Sequence, residues 1–276
     1  MKTIFIGAGN VAWHLVSLFS KNKDLQITHI WSRKKENAES LKNKLNDESI
    51  KINYSIQQLD FSKTDVDLAI LSIADGAFET VLSKLILPKN CILAHTSGAQ
   101  PMEMLKLANQ NQIKNIGVFY PLQTFSKAKE VDFSQIPFCI EANDKKIEEK
   151  LTSLAKQFSN KVFQVSSKDR SILHVAAVFA CNFSNYLWTI SEQILKEKNL
   201  PFDMLKPLLE ETLQKALEIN PSNAQTGPAI RKDEKVIEKH LHMIEEMNLS
   251  NSNPHFSQIY KLMTESIQKK KKLDLT

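Results

Sequence analysis

Gly7, Gly9 and Ala12 stand at the spacing G-x-G-x-x-A within Gly7-Ala8-Gly9-Asn10-Val11-Ala12. The chemistry of that pattern is the holding of a pyrophosphate. The first glycine permits a tight turn, the second lets phosphate approach the backbone, and the small third residue lets a helix pack closely on the preceding strand. Such a helix, with Asn10 and Val11 in its first turn, faces the phosphates with unpaired amides and the positive end of its dipole. A second group, Trp31-Ser32-Arg33-Lys34-Lys35, offers three consecutive cations and a hydroxyl, with no acidic residue between Gln26 and Lys35. A carboxylate there would accept from a ribose 2′-hydroxyl, whereas Arg33, with Ser32 and Lys34 beside it, suits a 2′-phosphate gripped by a planar fork. The expected cofactor is therefore NADP (NADPH) rather than NAD. The alternative, a solvated basic helix start, sets cations against the helix dipole.

Two later segments belong to the same crevice if the strands run parallel, since ligands collect beyond the strands' carboxyl ends. These are Ser72-Ile73-Ala74-Asp75 and His95-Thr96-Ser97-Gly98-Ala99, each a strand end passing into small and hydroxyl residues. Ser72, Ile73, Ala74, Ser97 and Gly98 are expected against the cofactor; Asp75 is either there too or a helix cap, and His95 reads as a structural histidine. For proton chemistry the candidates are His174, Asn182 and Thr226, with Tyr120, Gly227 and Arg231 against the substrate. On an ideal helix His174 and Asn185 lie about 20° apart around the axis, which makes a polar stripe on an apolar helix. Buried polar groups left unpaired cost about 1–3 kcal/mol each, so the stripe either lines a pocket or bonds to other helices. Gly227 either permits positive φ before Pro228 or lets a ligand approach the backbone. Arg231 is either a carboxylate clamp or a surface partner of Asp233 or Glu234.

The elements that must position these residues follow from hydrophobic period. Thr3 to Ile6 is a short β-branched and apolar run that stops at Gly7, and Val11, Leu15, Leu18 and Phe19 continue it as a helix. The alternation recurs. Strands are predicted at 26–31, 67–73, 91–95, 115–120, 137–141 and 162–165, with a polar amphipathic helix at 34–45 and other helical segments between. Strands apolar on both faces, alternating with helices, imply a parallel sheet covered on both sides. After Ser166 the strand signals end. Ser166 or Ser167 caps a helix running to about Lys198, apolar nearly all round between Ile172 and Ile190, which should be the core of a helical domain or of a subunit interface. Helices at about 202–219, 230–248 and 254–269 follow, with Pro207 tolerable near the start of the first. The fold class is thus α/β: a Rossmann-type, mostly parallel sheet domain over 1–165, then an all-α domain over 166–276.

The chain has 276 residues and only 6 glycines, five of them in the first 117 residues, which argues against glycine-rich disordered or collagen-like classes. With 42% hydrophobic and 24% charged residues it is ordinary for a globular protein, and a formal charge of +5 from 36 basic and 31 acidic residues is too even for nucleic acid to be the expected partner. Lys269 to Lys272 read as a solvated tail. Cys91, Cys139 and Cys181 lack metal-ligand spacing and suit a reducing cytoplasm rather than a disulfide framework. The apolar stretch after Lys2 is interrupted by Asn10 and His14, and no run reaches 18 apolar residues, so neither export nor a membrane partner is expected.

Taken together, the Gly7–Ala12 turn, Ser32-Arg33, His95-Thr96-Ser97-Gly98, the run from Gly117 to Phe125, His174-Val175-Ala176-Ala177-Val178-Phe179 with Asn182, and Thr226-Gly227-Pro228 with Arg231 and Asp233 resemble one family. It is the family of Rossmann-like NADP oxidoreductases with an uncharacterised helical C-terminal domain, related to pyrroline-5-carboxylate reductase, ketopantoate reductase and coenzyme F420-dependent NADP reductase. The resemblance spans nearly the whole chain. It implies a helical domain that dimerises and an active site between the domains, and it names no substrate. Where many members have histidine before the Pro-Leu pair, this chain has Tyr120, which keeps a ring donor and loses titration near neutral pH. The expectation is a cytoplasmic, homodimeric, NADPH-dependent reductase of a small C=N or C=O compound. The competing one is a catalytically silent NADP(H)-binding sensor or partner-binding protein.

Overall fold

The computed structural model describes residues 1–111, 113–247 and 255–273, leaving aside the side chains of 109–111 and 270–273. Eight strands form one sheet: β1 (Lys2–Ile6), β2 (Gln26–Trp31), β3 (Lys51–Asn53), β4 (Leu68–Leu71), β5 (Ile92–His95), β6 (Asn115–Pro121), β7 (Phe138–Ala142) and β8 (Val162–Gln164). Their order is β3-β2-β1-β4-β5-β6-β7-β8. Pairing is parallel from β3 to β6, antiparallel between β6 and β7, and parallel again between β7 and β8. The sheet is mostly parallel, as the alternation of strands and helices required. The order reverses at β1, which has β2 on one side and β4 on the other, and this is where an open sheet leaves a crevice beyond its carboxyl ends.

Successive side chains of a strand point to opposite faces, and here both faces are buried. Phe5, Leu68, Ile70, Ile92 and Ala94 enter one core; Ile4, Ile6, Ala69, Leu71 and Leu93 enter the other. That is why these strands read as continuous apolar runs. On the first face α1 (Asn10–Ser20) buries Ala12, Leu15, Val16 and Phe19, and Phe19 packs on Phe158, Phe5 and Phe119 at centroid distances of 5.3, 5.4 and 6.1 Å. Truncating it to alanine would cost about 3–5 kcal/mol. The same face receives α2 (Lys35–Leu45) through Ala38 and Leu41, and α4 (Lys145–Lys156) through Ile147, Leu151, Leu154 and Ala155. Asp144 caps α4 by accepting from the amides of Lys146 and Ile147. The opposite face receives α3 (Phe78–Leu82). β3 has no apolar run to mark it in the sequence; its three residues are held at the sheet edge by register with His29, Ile30 and Trp31.

The chain divides into two compact units, Met1–Val178 and Phe179–Thr276. The strands end at Gln164, and α5 (Ser167–Ala177) begins behind Ser166, whose hydroxyl accepts from the Asp169 amide as the cap. The helix then passes through a π-helical segment, Val178–Phe183, before α6 (Ser184–Lys196). Of the two expected places for its apolar girth, a domain core and a subunit interface, the first is not met among the described residues: Ile172, Val175, Phe179, Phe183 and Trp188 are all exposed.

In the second unit α7 (Lys206–Ile219) carries Pro207 at its start, and α8 (Pro221–Ala224), α9 (Pro228–Arg231), α10 (Glu234–Glu246) and α11 (Phe256–Leu273) follow. The helix predicted from 230 is broken at Lys232, whose φ of 57° is left-handed, and Asp233 caps the new start by accepting from Val236. The predicted helix ends at Asn248 and Pro254 lie outside the described residues. Among the described residues only Ala229, Ile237 and Phe256 are buried hydrophobics of this unit, while Leu208, Leu213 and Leu217 are exposed. No helix among the described residues is long and apolar enough to cross a membrane.

Candidate functional site

The first strand ends in a turn that only glycine can make. Gly7 has φ 116°, its amide donates to the Trp31 carbonyl at 2.7 Å, and a methyl group on it would overlap the Ser72 carbonyl of the neighbouring β4 end. Gly9 is different: its φ is ordinary, and a methyl there would meet nothing within 4 Å. The fold itself does not demand glycine at 9. The space in front of it is cavity, and Gly9 is also the N-cap of α1 with no side chain satisfying the first-turn amides. Unpaired amides, a positive dipole end and room at the backbone are the requirements of a pyrophosphate. Ala12 is fully buried where α1 meets the sheet, so it serves packing and does not line the cavity.

Beside this cradle the end of β2 turns its polar residues into the same cavity. Ser32 is buried and its amide donates to the Asn53 carbonyl, which ties the β2 end to β3. Of the three cations, Lys35 is engaged locally, bridging to Glu39 at 3.3 Å and lying over the Tyr54 ring. Arg33 and Lys34 line the cavity together with Asn37, and no carboxylate among the described residues pairs with either. These residues fit a 2′-phosphate.

The far side is built by the ends of β4, β5 and β6 and by α5. Asp75 accepts from the Ser97 hydroxyl at 2.7 Å, and that hydroxyl in turn accepts from the amides of Ala99 and Gln100. The Asp75 side chain thus caps no helix and instead holds the loop after β5. Gly98 of that loop is the bed for two rings: a methyl on it would lie 2.6 Å from Nδ1 of His174 and 2.9 Å from Cζ of Tyr120. The two rings hydrogen-bond, Tyr120 Oη to His174 Nδ1 at 3.3 Å. Burial, first of all, pushes the Tyr120 phenol up to about 12, so it stays protonated at neutral pH. His95 does not reach the cavity. It is fully buried, its Nδ1 accepts from the Ser97 amide, its Nε2 has no hydrogen-bond partner among the described residues, and burial followed by the Arg170 charge holds it down at about 3.

One cavity of about 820 Å³ therefore brings together Gly7, Gly9, Asn10, Val11, Ser32, Arg33, Lys34, Ser72, Ile73, Ala74, Ser97, Gly98, Tyr120 and His174. It also includes Trp31 and Gln123, each named in the sequence only as part of a longer run, and Asn37, which carried no signal because neither its type nor its spacing marks a ligand. Asn182, Thr226, Gly227 and Arg231 belong to the second unit. Asn182 is exposed within the π-helix, so the spacing that set Asn185 beside His174 does not apply: i→i+5 bonding turns the chain less per residue than the α-helix assumed. Gly227 has φ 105° at the start of α9, Arg231 is exposed in its last turn, and Thr226 borders an apolar pocket of about 360 Å³ among α6, α9, α10 and α11. The positive φ is the conformational role of Gly227.

The model of a domain of unknown function, DUF2520, matches residues 136–267. A crystal structure described as a "putative NADP oxidoreductase" from Bacteroides fragilis is 37% identical over 97% of this chain and 98% of its own, with a TM-score of 0.84. An imine reductase of Streptomyces aurantiacus is 12% identical over 98% of this chain and 94% of its own, at a TM-score of 0.63. A pyrroline-5-carboxylate reductase of Coxiella burnetii is 16% identical over 96% and 97%, at 0.51. At those identities the last two share the fold. No curated protein matches the chain.

Proposed function

This chain belongs to the family of the Bacteroides fragilis oxidoreductase, with its DUF2520 region toward the C-terminus, and from that premise we propose that it is an NADPH-dependent reductase of a small C=N or C=O compound. The observation that carries the reading is that one cavity holds the Gly7–Gly9 cradle and Arg33 on one side and the hydrogen-bonded Tyr120–His174 pair on the other. The first-turn amides of α1 would hold the pyrophosphate, and Arg33 with Lys34 the 2′-phosphate. When bound, the cofactor supplies hydride to the substrate carbon. The chain supplies the proton. Tyr120, kept protonated by burial, donates from Oη to the substrate nitrogen or oxygen, and a proton passed from solvent along the hydrogen bond to His174 Nδ1 restores the phenol, so both rings end as they began. General acid help of this kind is worth about 10²–10⁴ in rate.

The same reading has the protein working as a homodimer in a reducing cytoplasm. Its support is the second unit, which buries few apolar side chains of its own while Phe179, Phe183, Leu213 and Leu217 stay exposed; Cys91, Cys139 and Cys181 are free thiols. The test is NADPH oxidation across a panel of cyclic imines and keto acids, with Tyr120→Phe and His174→Gln alongside. Turnover lost in both variants at unchanged NADPH affinity is expected. Tight NADPH binding with no turnover on any substrate would favour the silent sensor instead.

A further inference from the structure

Arg170 is a fully buried cation, and nothing in its sequence surroundings singles it out. All three of its guanidinium nitrogens donate to groups inside the first unit. Nε donates to the Ser97 carbonyl at 3.2 Å, Nη2 to the Gln100 carbonyl at 2.7 Å, and Nη1 to the Glu141 carboxylate on β7 at 2.6 Å. Ser167 closes the ring: its hydroxyl donates to the same Glu141 oxygen at 2.7 Å and accepts from the Met102 amide at 2.9 Å. A buried ion pair of this kind is a costly device, because desolvation offsets most of the Coulomb attraction and apolar replacements are often no less stable. What it supplies is geometry. The two loop carbonyls it anchors flank Gly98, and His174 lies four residues further along α5, one helical turn on and on the same face.

We propose that Arg170, locked by Glu141 and Ser167, is the positioning residue of the site: it sets the loop after β5 and the phase of α5 against each other, and so fixes His174 and Tyr120 together over Gly98. The proposal rests on the reductase reading for its consequence in turnover and on geometry alone for its consequence in structure. Lysine at 170 keeps the charge but is a point donor that cannot serve three acceptors spread in a planar fork.

The experiment compares wild type, Arg170→Lys and Glu141→Gln, each with and without Tyr120→Phe, in protein carrying ¹⁵N-labelled histidine. In wild type, Tyr120→Phe moves the Nδ1 resonance of His174; in Arg170→Lys it no longer does, while NADPH binding, measured by fluorescence titration, is retained. With the imine that gives turnover, kcat of Arg170→Lys falls on the order of 100-fold, the effect of roughly an ångström of misplacement, and KM for NADPH changes little. A folded Arg170→Lys protein whose His174 resonance still answers to Tyr120→Phe as in wild type overturns the proposal. If Arg170→Lys does not fold, Glu141→Gln, which keeps an acceptor and loses the charge, carries the same reading, and a full wild-type response there overturns it equally. Failure of wild type to bind NADPH sinks the reductase reading, and the resonance still decides the clamp.

Discussion

Gly98→Ala puts a methyl group 2.6 Å from Nδ1 and 2.9 Å from Cγ of His174, and 2.9 Å from Cζ of Tyr120. Ordinary contacts lie at about 3.5–4.0 Å, so the overlap is roughly 1 Å against three ring atoms. Neither ring has an easy escape. Tyr120 is buried on β6, and the atoms struck on His174 are those next to its own Cβ, so relief means swinging the imidazole away and breaking the 3.3 Å bond to Tyr120. Overpacking costs about 1–3 kcal/mol and the lost hydrogen bond about 1 more. At about 2–4 °C per kcal/mol, Tm should fall by roughly 4–16 °C. The Gly7–Ala12 turn and Arg33 are untouched, so NADPH affinity should stay within about tenfold, whereas loss of the general acid lowers kcat by on the order of 100-fold or more. Differential scanning calorimetry, fluorescence titration and steady-state kinetics read the three quantities. A Gly98→Ala protein with wild-type Tm and wild-type kcat would refute the argument that the two rings are held over this glycine.

Gly9→Ala should show the opposite pattern, with Tm within about 1–2 °C of wild type because the methyl meets no protein atom and NADPH binding weakened at least tenfold in titration; unchanged binding would mean that no ligand approaches that backbone. His95, held at about 3 against an ordinary 6.5, is neutral in the folded protein and takes up a proton on unfolding between those values. Its contribution is present above pH 6.5 and lost as pH falls toward 3, with a slope of up to about 1.4 kcal/mol per pH unit, so His95→Gln should flatten the fall in Tm between pH 6 and 4 relative to wild type. Light scattering after size exclusion should give twice the 31.4 kDa chain mass at micromolar concentration and a monomer or aggregate for Phe179→Asp with Leu217→Asp; a monomeric wild type would sink the dimer.

Much of the first unit was legible because two-sided burial leaves a plain mark. Runs such as Leu68 to Leu71 have each side chain in one core or the other, and the Gly7–Ala12 turn sits where a first strand must give way to a first helix. β3 was not legible, since a three-residue edge strand with one apolar side chain, Ile52, packed on the core is too short to show a pattern. The proton-handling pair was half legible. His174 stood out as a polar residue on an apolar helix and Tyr120 as a ring before Pro121, but their meeting depends on β6 and α5 arriving at one loop, which spacing along the chain does not encode. Arg170 left no trace, because a buried arginine looks like a surface one until its acceptors, at Ser97, Gln100 and Glu141, are brought to it. The π-helix defeated the arithmetic of Asn185 for a related reason: 3.6 residues per turn is a premise, and Val178 to Phe183 do not obey it.

That the cavity is built for a phosphorylated dinucleotide is the central claim, and the dissociation constants of NADPH and NADH on wild type and Arg33→Glu test it most directly. Charge-assisted bonds from the guanidinium are worth about 1.5–3 kcal/mol, so wild type should prefer NADPH by about 10- to 150-fold and Arg33→Glu should lose that preference. Equal affinity for the two nucleotides in wild type, or a preference that survives Arg33→Glu, would contradict it.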